Sequence, residues 1–194
     1  MKNNKQTCSW PKEDPLLTKY HDTEWGVPLH NDKKLFEFLI LEGFQAGLSW
    51  LTILRKRENF RKAFDIFDFN KVAKYDQKKI NSLLEDSGII RNRLKIESSI
   101  INARAFIEVR KEFGTFNKYI WNFTGGKPIH NRYESLKEIP AKTELSDMIS
   151  KDLKRRGFKF VGSTIVYAHM QATGMVNDHI RTCFRYKEII EKYG

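Results

Sequence analysis

Apolar residues recur along much of the chain at the three- and four-residue spacing of amphipathic α-helices. The clearest stripe, over 93–113, consists of Ile96, Ile100, Ala103 and Ile107. A second helical pattern over 32–67 predicts two helices, separated by a corner at Gly43, Gly47 and Ser49. Further helices are predicted over 70–73, 77–84, 144–155 and 164–172.

Strand patterns, by contrast, are lacking. No stretch alternates polar and apolar residues with the β-branched enrichment of a strand. Ser135 and Glu138 have the spacing of a capping box, for a helix that Pro140 keeps short. The sequence therefore predicts an almost entirely α-helical protein. Its 194 residues suit one domain, 1–194, or two closely packed helical lobes.

The charge of the chain changes this picture by suggesting a partner. The 35 basic and 24 acidic residues leave a net charge of +11. Such an excess favours a polyanion such as nucleic acid, although a basic solvated surface is the alternative. No apolar run reaches membrane-spanning length, and the polar, basic start does not resemble a secretory signal. A reducing, cytoplasmic compartment is therefore predicted.

Two cysteine–histidine pairs near opposite ends of the chain are candidate metal ligands. Cys8 precedes His21 by thirteen positions, and His179 precedes Cys183 by four, a spacing expected to place both on one helical face. Two thiols and two imidazoles complete a tetrahedral zinc shell. The alternatives are buried, inert thiols beside unrelated histidines, or a disulfide, which a reducing compartment disfavours.

A basic segment between two predicted helices is a candidate DNA contact. Glycines at both ends of a short turn would let the backbone approach a phosphate, with the start of the second helix pointing its N–H groups outward. The alternative is an ordinary corner between helices with a solvated basic face. The candidate phosphate contacts are Lys154, Arg155, Gly157, Lys159, Gly162 and Ser163.

Aromatic residues accumulate in the first fifty positions, around one unusual carboxylate. Trp10, Tyr20, Trp25 and Trp50 lie there, and Glu42 interrupts an apolar helix. A buried carboxylate is costly unless something satisfies it. Aromatic faces with one carboxylate suit a flat cation such as a positively charged nucleobase. Alternatively, the aromatic rings form core and Glu42 pairs with a surface Arg or Lys.

Together these segments resemble the bacterial DNA-3-methyladenine glycosylase I family, in the same order and from Cys8 to Cys183. The similar segments are CSW (8–10), Asp14-Pro15, YHDTEWGVP (20–28), LEGFQAGLSW (41–50), KREN (56–59), GIIRNR (88–93), RGFKFVG (156–162) and VNDH (176–179). The resemblance implies an all-α helix–hairpin–helix DNA glycosylase fold. It also implies one structural zinc joining the terminal segments through Cys8, His21, His179 and Cys183.

The resemblance further implies a repair enzyme that flips 3-methyladenine out of duplex DNA, hydrolyses its N-glycosidic bond and releases the free base. Glu42 is carried over as the catalytic residue, and the base-binding set as Tyr20, Trp50, Trp10 and Trp25. The pocket would lie between the two lobes of a monomer. One departure is Leu17, which replaces a pocket tyrosine of some members.

Two positions bear on the type of reaction. The catalytic Asp of many relatives in the wider superfamily appears here as Asn177, beside Asp178, which is expected to point elsewhere on a helical turn. Their Schiff-base lysine corresponds to Val161. A monofunctional glycosylase without lyase activity is therefore expected. A zinc hydrolase is disfavoured because four protein ligands leave no open position, and a non-catalytic, zinc-stabilised lesion binder is the other alternative.

Overall fold

The computed structural model describes residues 6–11 and 14–194, in which ten α-helices and two very short strands occur. The helices are α1 (Pro15–Thr23), α2 (Asp32–Gln45), α3 (Trp50–Ala63), α4 (Phe69–Val72), α5 (Gln77–Glu85), α6 (Arg93–Phe113), α7 (Phe116–Asn122), α8 (Glu144–Arg155), α9 (Ser163–Ala172) and α10 (Phe184–Tyr193). The strands β1 (Ile129–His130) and β2 (Val176–Asn177) pair in parallel. The predicted α-helical class is confirmed.

Polar side chains mark where several helices begin. Asp14 accepts the amides of Leu16 and Leu17 at the start of α1, and Pro15 suits the first helical position. Asn92 caps α6 and Thr143 caps α8 in the same manner. Each cap contributes about 1 kcal/mol. The bounds predicted for α6 and α8 are therefore confirmed, whereas α1, α7 and α10 were not anticipated.

The corner between α2 and α3 differs from the prediction in one respect. Gly43 does not interrupt the helix, because α2 continues to Gln45. A Cβ added at Gly43 would lie 3.5 Å from the Cβ of Phe160, an ordinary van der Waals distance, so this helix position is closely packed but not overcrowded. The corner itself forms at Gly47, whose φ is +79°, and at Ser49, whose side chain accepts the Thr52 amide at 3.2 Å.

The capping box predicted at Ser135 and Glu138 is wrong. Ser135 Oγ donates to Glu138 Oε1 at 2.9 Å, and neither side chain caps the 3₁₀ turn Leu136–Glu138. Glu138 instead accepts the backbone amide of Glu134 at 3.0 Å. The segment before Pro140 is short, as expected.

A left-handed turn follows α3. Asp65, Ile66 and Phe67 all have φ between +52° and +55°, a region that side chains with a Cβ rarely adopt. Phe67 is fully buried, and Asp65 accepts the Tyr75 hydroxyl at 2.6 Å. These contacts hold a backbone conformation that exposed Ile66 by itself does not favour.

The core consists of two adjoining apolar clusters. The larger contains aromatic rings from three helices, with Phe36 edge-on to Phe106 at 5.1 Å and Phe116 stacked on Phe106 at 4.2 Å between ring centres. Burial of each such side chain contributes about 1.5–3 kcal/mol. The smaller cluster includes Tyr20 and Trp25, and Trp50 packs against both clusters. The candidate aromatic residues therefore lie where the two clusters meet.

Candidate functional site

A cavity of about 340 Å³ brings together Glu42 and the four aromatic residues that were grouped with it in the sequence. This volume lies within the ~300–1,000 Å³ typical of small-molecule sites. The cavity is lined by Trp10, Tyr20, Trp25, Glu42, Gln45, Trp50, Leu136, Ile139, Ala168 and Gln171. Residues from opposite halves of the chain thus share one wall, because α9 packs against α2.

Glu42 is the most unusual group in this cavity. Its side chain is 4 % exposed, and its Oε2 is buried without a hydrogen-bond partner among the described residues. Burial alone raises the pKa of the carboxyl group from 4.5 to about 8. No cation among these residues pairs with it, so the alternative of a surface ion pair is wrong. The carboxyl group is positioned for a partner that donates hydrogen bonds or carries positive charge.

The aromatic rings form both core and cavity wall. The Trp10 ring lies edge-on to Trp25 at 5.2 Å, and Tyr20 is tilted against Trp50 at 5.4 Å. Phe38 stacks on Trp50 with an interplanar angle of 21°, which supports that indole from behind. Burial raises the pKa of Tyr20, so its hydroxyl stays protonated and can donate. The indole nitrogens of Trp10 and Trp50 have no acceptor among the described residues.

Leu17 does not reach the cavity wall. It lies half-buried on α1 and packs against the smaller apolar cluster. The lining residues do not include it. The aromatic or hydroxyl contact made by a tyrosine at this position is therefore absent from the wall.

Sequence reasoning missed half of the lining, including Gln171 near the end of α9. Its Nε2 donates to Asp178 Oδ2 at 2.8 Å. Asp178 does not lie on a helical turn as expected: it follows β2, is buried, and also accepts from Tyr167 and Asn131. A polar residue in the apolar helix α9 was the available signal, but its partner depended on the strand that follows.

The four candidate metal ligands converge at a second location. Their donor atoms all lie within 4.8 Å of one another, and all four residues are buried. The Nε2 of His21 is 3.1 Å from the Nδ1 of His179, and the three measured sulfur–nitrogen distances are 3.5–3.7 Å. A tetrahedral shell with the usual zinc bond lengths requires ~3.3 Å between nitrogens and ~3.6 Å between nitrogen and sulfur. The donor set therefore fits a structural metal.

The second nitrogen of each histidine is already engaged. Asp22 lies 2.7 Å from His21 Nδ1, and the Trp25 carbonyl lies 3.0 Å from His179 Nε2. Such partners hold the proton on the outer nitrogen and leave the inner nitrogen free to coordinate. Burial also lowers the pKa of His179, which favours its neutral form. Both rings are thus oriented for a metal.

The predicted helical relationship between His179 and Cys183 is wrong. His179 lies in a bend after β2, and Cys183 is the N-terminal cap residue of α10. A turn closed by the Cys183 amide and the Ile180 carbonyl, at 2.8 Å, brings their side chains together instead. The chain thus reaches the same ligand geometry through a different local structure.

The basic segment forms a compact turn between α8 and α9. Gly157 has φ +92°, and Gly162 is the N-terminal cap residue of α9 without a side-chain cap. Asn102 holds the turn by accepting the Lys159 amide at 2.7 Å and donating to its carbonyl at 3.0 Å. The backbone of the hairpin is therefore rigidly attached to α6.

The predicted phosphate contacts differ in how free their charges are. Lys154 and Lys159 are exposed and form no ion pair among the described residues. Arg155 is also exposed, but its guanidinium contacts Asp152. Ser163 hydrogen-bonds to Asp147, which lowers the pKa of that carboxyl group. The two lysines therefore provide the uncompensated charge of the hairpin.

The fold and the cavity together define a mostly helical domain in which a hairpin joins α8 and α9 and an aromatic cavity contains a buried carboxyl group. A family model described as methyladenine glycosylase matches residues 10–186. The chain therefore belongs to the methyladenine glycosylase family.

Similar curated proteins agree with this assignment. DNA-3-methyladenine glycosylase 1 of Escherichia coli (strain K12) is 49% identical over 181 residues, covering 93% of this chain and 97% of the relative. DNA-3-methyladenine glycosylase of Haemophilus influenzae is 46% identical over 176 residues, covering 91% and 95%, respectively.

Solved structures show the same likeness in three dimensions. A crystal structure of 3-methyladenine DNA glycosylase I has a TM-score of 0.90 and 49% identity, covering 92% of this chain and 98% of that chain. The Staphylococcus aureus enzyme, described in terms of 3-methyladenine recognition, has a TM-score of 0.89 and 36% identity, covering 92% and 95%.

Proposed function

We propose that the protein is a DNA-3-methyladenine glycosylase, a hydrolase of base excision repair. The observation that carries the proposal is the carboxyl oxygen of Glu42, which is buried in an aromatic cavity without a hydrogen-bond partner among the described residues. The names of the similar proteins, which include structures described with 3-methyladenine, support the same substrate. Its substrate is alkylated double-stranded DNA, and its product is free 3-methyladenine.

The damaged nucleotide must leave the duplex before the reaction, because the glycosidic bond cannot be reached inside the base stack. Methylation at N3 gives the base a positive charge and makes it a good leaving group. As the bond breaks, its electron pair passes to the base, which departs neutral. Water adds to the sugar C1′ and loses a proton, which leaves an abasic site. Selectivity then comes mainly from binding the cation.

Five of the ten cavity residues have a proposed role in that binding. Glu42 accepts a hydrogen bond from the amino edge of the base and favours its positive charge. Trp50, supported by Phe38, is the stacking platform. Tyr20 provides a hydroxyl donor and an apolar wall, while Trp10 and Trp25 close the remaining sides. Neutral adenine is disfavoured because it carries no charge for Glu42 to attract.

The positions used for lyase chemistry elsewhere in the superfamily support a monofunctional reaction. Val161 has no amine and is buried. Asn177 is buried too, with its amide donating to the Tyr186 carbonyl and its oxygen accepting the His179 amide. Neither side chain can form a Schiff base or act as a carboxylate. We therefore expect base release without strand cleavage.

One structural zinc ion is proposed for the cluster of Cys8, His21, His179 and Cys183. When bound, it would join Cys8 and His21, which lie before and on α1, to His179 and Cys183, which lie before α10 and at its N-terminal cap. The Trp25 carbonyl that contacts His179 belongs to a cavity residue. The cluster therefore positions one wall of the cavity, and its four ligands leave no place for substrate.

The hairpin is proposed as the duplex-binding edge, with Lys154 and Lys159 as the main phosphate contacts and the α9 amides beside Gly162 as donors.

The domain organisation we propose is a single monomeric domain of two lobes with the cavity between them. A bacterial cytoplasmic location fits DNA repair. No helix among residues 6–11 and 14–194 has the length and apolar character needed to cross a membrane.

The test is to incubate the protein with alkylated duplex DNA and to measure released bases by chromatography. Release of 3-methyladenine that persists under gentle chelation supports a glycosylase with a structural metal. No release by folded, DNA-binding protein supports a lesion binder instead. Borohydride trapping of the protein on DNA, or strand cleavage, contradicts the monofunctional assignment.

A further inference from the structure

The hydrogen bond between Gln171 and Asp178 determines which end of an amide group is available in the cavity. A carboxylate accepts hydrogen bonds and cannot donate them, whereas an amide donates only through nitrogen. Gln171 Nε2 therefore faces Asp178, at 2.8 Å. The Oε1 atom accepts no hydrogen bond from the described residues. It is also not among their polar atoms that are fully buried without a partner, so it is accessible. Gln171 thus presents an acceptor from the cavity wall.

Hydrogen bonds to Asp178 from other residues fix the orientation of the Gln171 amide. Asp178 is 1 % exposed and receives the Tyr167 hydroxyl on Oδ2 at 2.6 Å and the Asn131 amide on Oδ1 at 2.6 Å. Tyr167 lies one helical turn before Gln171 on α9, and Asn131 follows β1, which pairs with β2. Two neutral donors besides Gln171 therefore fix the carboxylate, and the carboxylate fixes the Gln171 side chain.

We propose that Gln171 is a specificity-determining residue and that Asp178 is its positioning residue. On the basis of the proposed glycosylase function, Gln171 Oε1 accepts one proton of the exocyclic amine of 3-methyladenine. Glu42 lines the same cavity and accepts at the amino edge as well. Both groups then require a donor from the base. A base with a carbonyl oxygen at that position leaves the Gln171 oxygen facing another acceptor.

The magnitude follows from one hydrogen bond. A neutral hydrogen bond of ~1–1.5 kcal/mol corresponds to a five- to tenfold change in binding. We therefore expect Gln171→Met, which nearly conserves volume, to reduce the preference for an amine over a carbonyl at the six position about five- to tenfold. Asp178→Asn should act similarly, because an asparagine amide can donate and lets the Gln171 amide turn around.

The experiment titrates free 3-methyladenine and 3-methylhypoxanthine into the protein and follows tryptophan fluorescence. The measured quantity is the ratio of the two dissociation constants. Gln77→Met makes the same substitution on the exposed face of α5 and should keep the wild-type ratio.

The outcomes distinguish this inference from the proposed function. Wild-type protein that neither binds nor releases 3-methyladenine contradicts both. If wild type releases the base and Gln171→Met keeps the full preference, the role of Gln171 is wrong. If Gln171→Met loses the preference and folded Asp178→Asn retains it, the positioning role of Asp178 is wrong. Circular dichroism reports folding, and Gln171→Met decides the main question even if Asp178→Asn does not fold.

Discussion

Replacing Glu42 with glutamine should stabilise the free protein while weakening its activity. The substitution keeps the shape of the side chain but removes its ability to ionise. Burial raises the pKa of Glu42 from 4.5 to about 8. At 1.36 kcal/mol per unit, this corresponds to roughly 5 kcal/mol between the two protonation states. Such a sum is large beside the 5–15 kcal/mol that usually separates folded from unfolded protein.

The sign of the pH dependence follows from proton binding. Between pH 4.5 and 8 the folded protein holds the Glu42 proton and the unfolded chain has lost it. The stability linked to this group is therefore complete below pH 4.5 and is lost as the pH rises to about 8. Glu42→Gln does not lose stability in this way, because its side chain does not ionise. Its free energy of unfolding should therefore exceed that of wild type by about zero at pH 4.5 and by about 3 kcal/mol at pH 7.

Urea denaturation of both proteins at several values between pH 4.5 and 8.5 measures this difference. The control is Glu108→Gln, which removes a carboxylate that is 68 % exposed and paired with Lys111. Exposed pairs contribute ~0–1 kcal/mol, so this variant should follow wild type. If the Glu42→Gln and wild-type curves run parallel across this range, the carboxyl group is not destabilised by burial and the reasoning is refuted.

The same variant should release 3-methyladenine much more slowly, because an amide neither attracts the cationic base nor accepts as strongly as a carboxylate. A gain in stability combined with a loss of excision separates a binding role from a structural one. Unchanged excision by folded Glu42→Gln contradicts the assignment of Glu42.

Three further predictions concern the rest of the molecule. Cys183→Ser should lower zinc content from one ion per chain and lower the melting temperature, measured by metal analysis and thermal denaturation, because metal binding and folding are coupled; zinc-free protein that is folded and active contradicts this. The pair Lys154→Ala and Lys159→Ala should reduce the slope of log affinity for duplex DNA against log salt by about 1.8, at ~0.9 per phosphate contact, whereas Lys192→Ala on α10 should change it less. Ile66→Gly should raise the free energy of unfolding, measured by urea denaturation, by about 0.5–1 kcal/mol. The left-handed conformation costs a residue with a Cβ ~1–2 kcal/mol, and the greater chain entropy that glycine loses on folding offsets part of this gain.

Periodicity predicted the long helices well and the short ones poorly. The bounds of α6 and α8 agree with the prediction because strong apolar stripes and polar caps define them. Helix α1 was missed because it has only nine residues and few apolar ones, although Asp14 and Pro15 start it clearly. Gly43 was read as a break because glycine weakens helices in isolation, whereas here α2 continues through it to Gln45.

The residues of the candidate site were predictable, but their contacts were not. Ordered motifs selected Glu42, Trp50 and the four metal ligands, since a family resemblance preserves residue identity. Gln171 escaped because its polar side chain on the apolar helix α9 was a weak signal that did not identify a partner. Its role depends on Asp178, which folds back after β2.

The sequence by itself determined the helical class, the basic charge and the residue types available for chemistry, because these depend on local spacing and composition. Only the tertiary structure decided that the Glu42 oxygen has no partner within residues 6–11 and 14–194 and that His21 lies 3.1 Å from His179, a residue 158 positions away. Both facts arise from the packing of distant segments. Residue spacing along the chain does not encode which side chains become neighbours in space. Those neighbours determine the burial of a carboxyl group, its lack of a nearby positive charge and the convergence of four metal ligands.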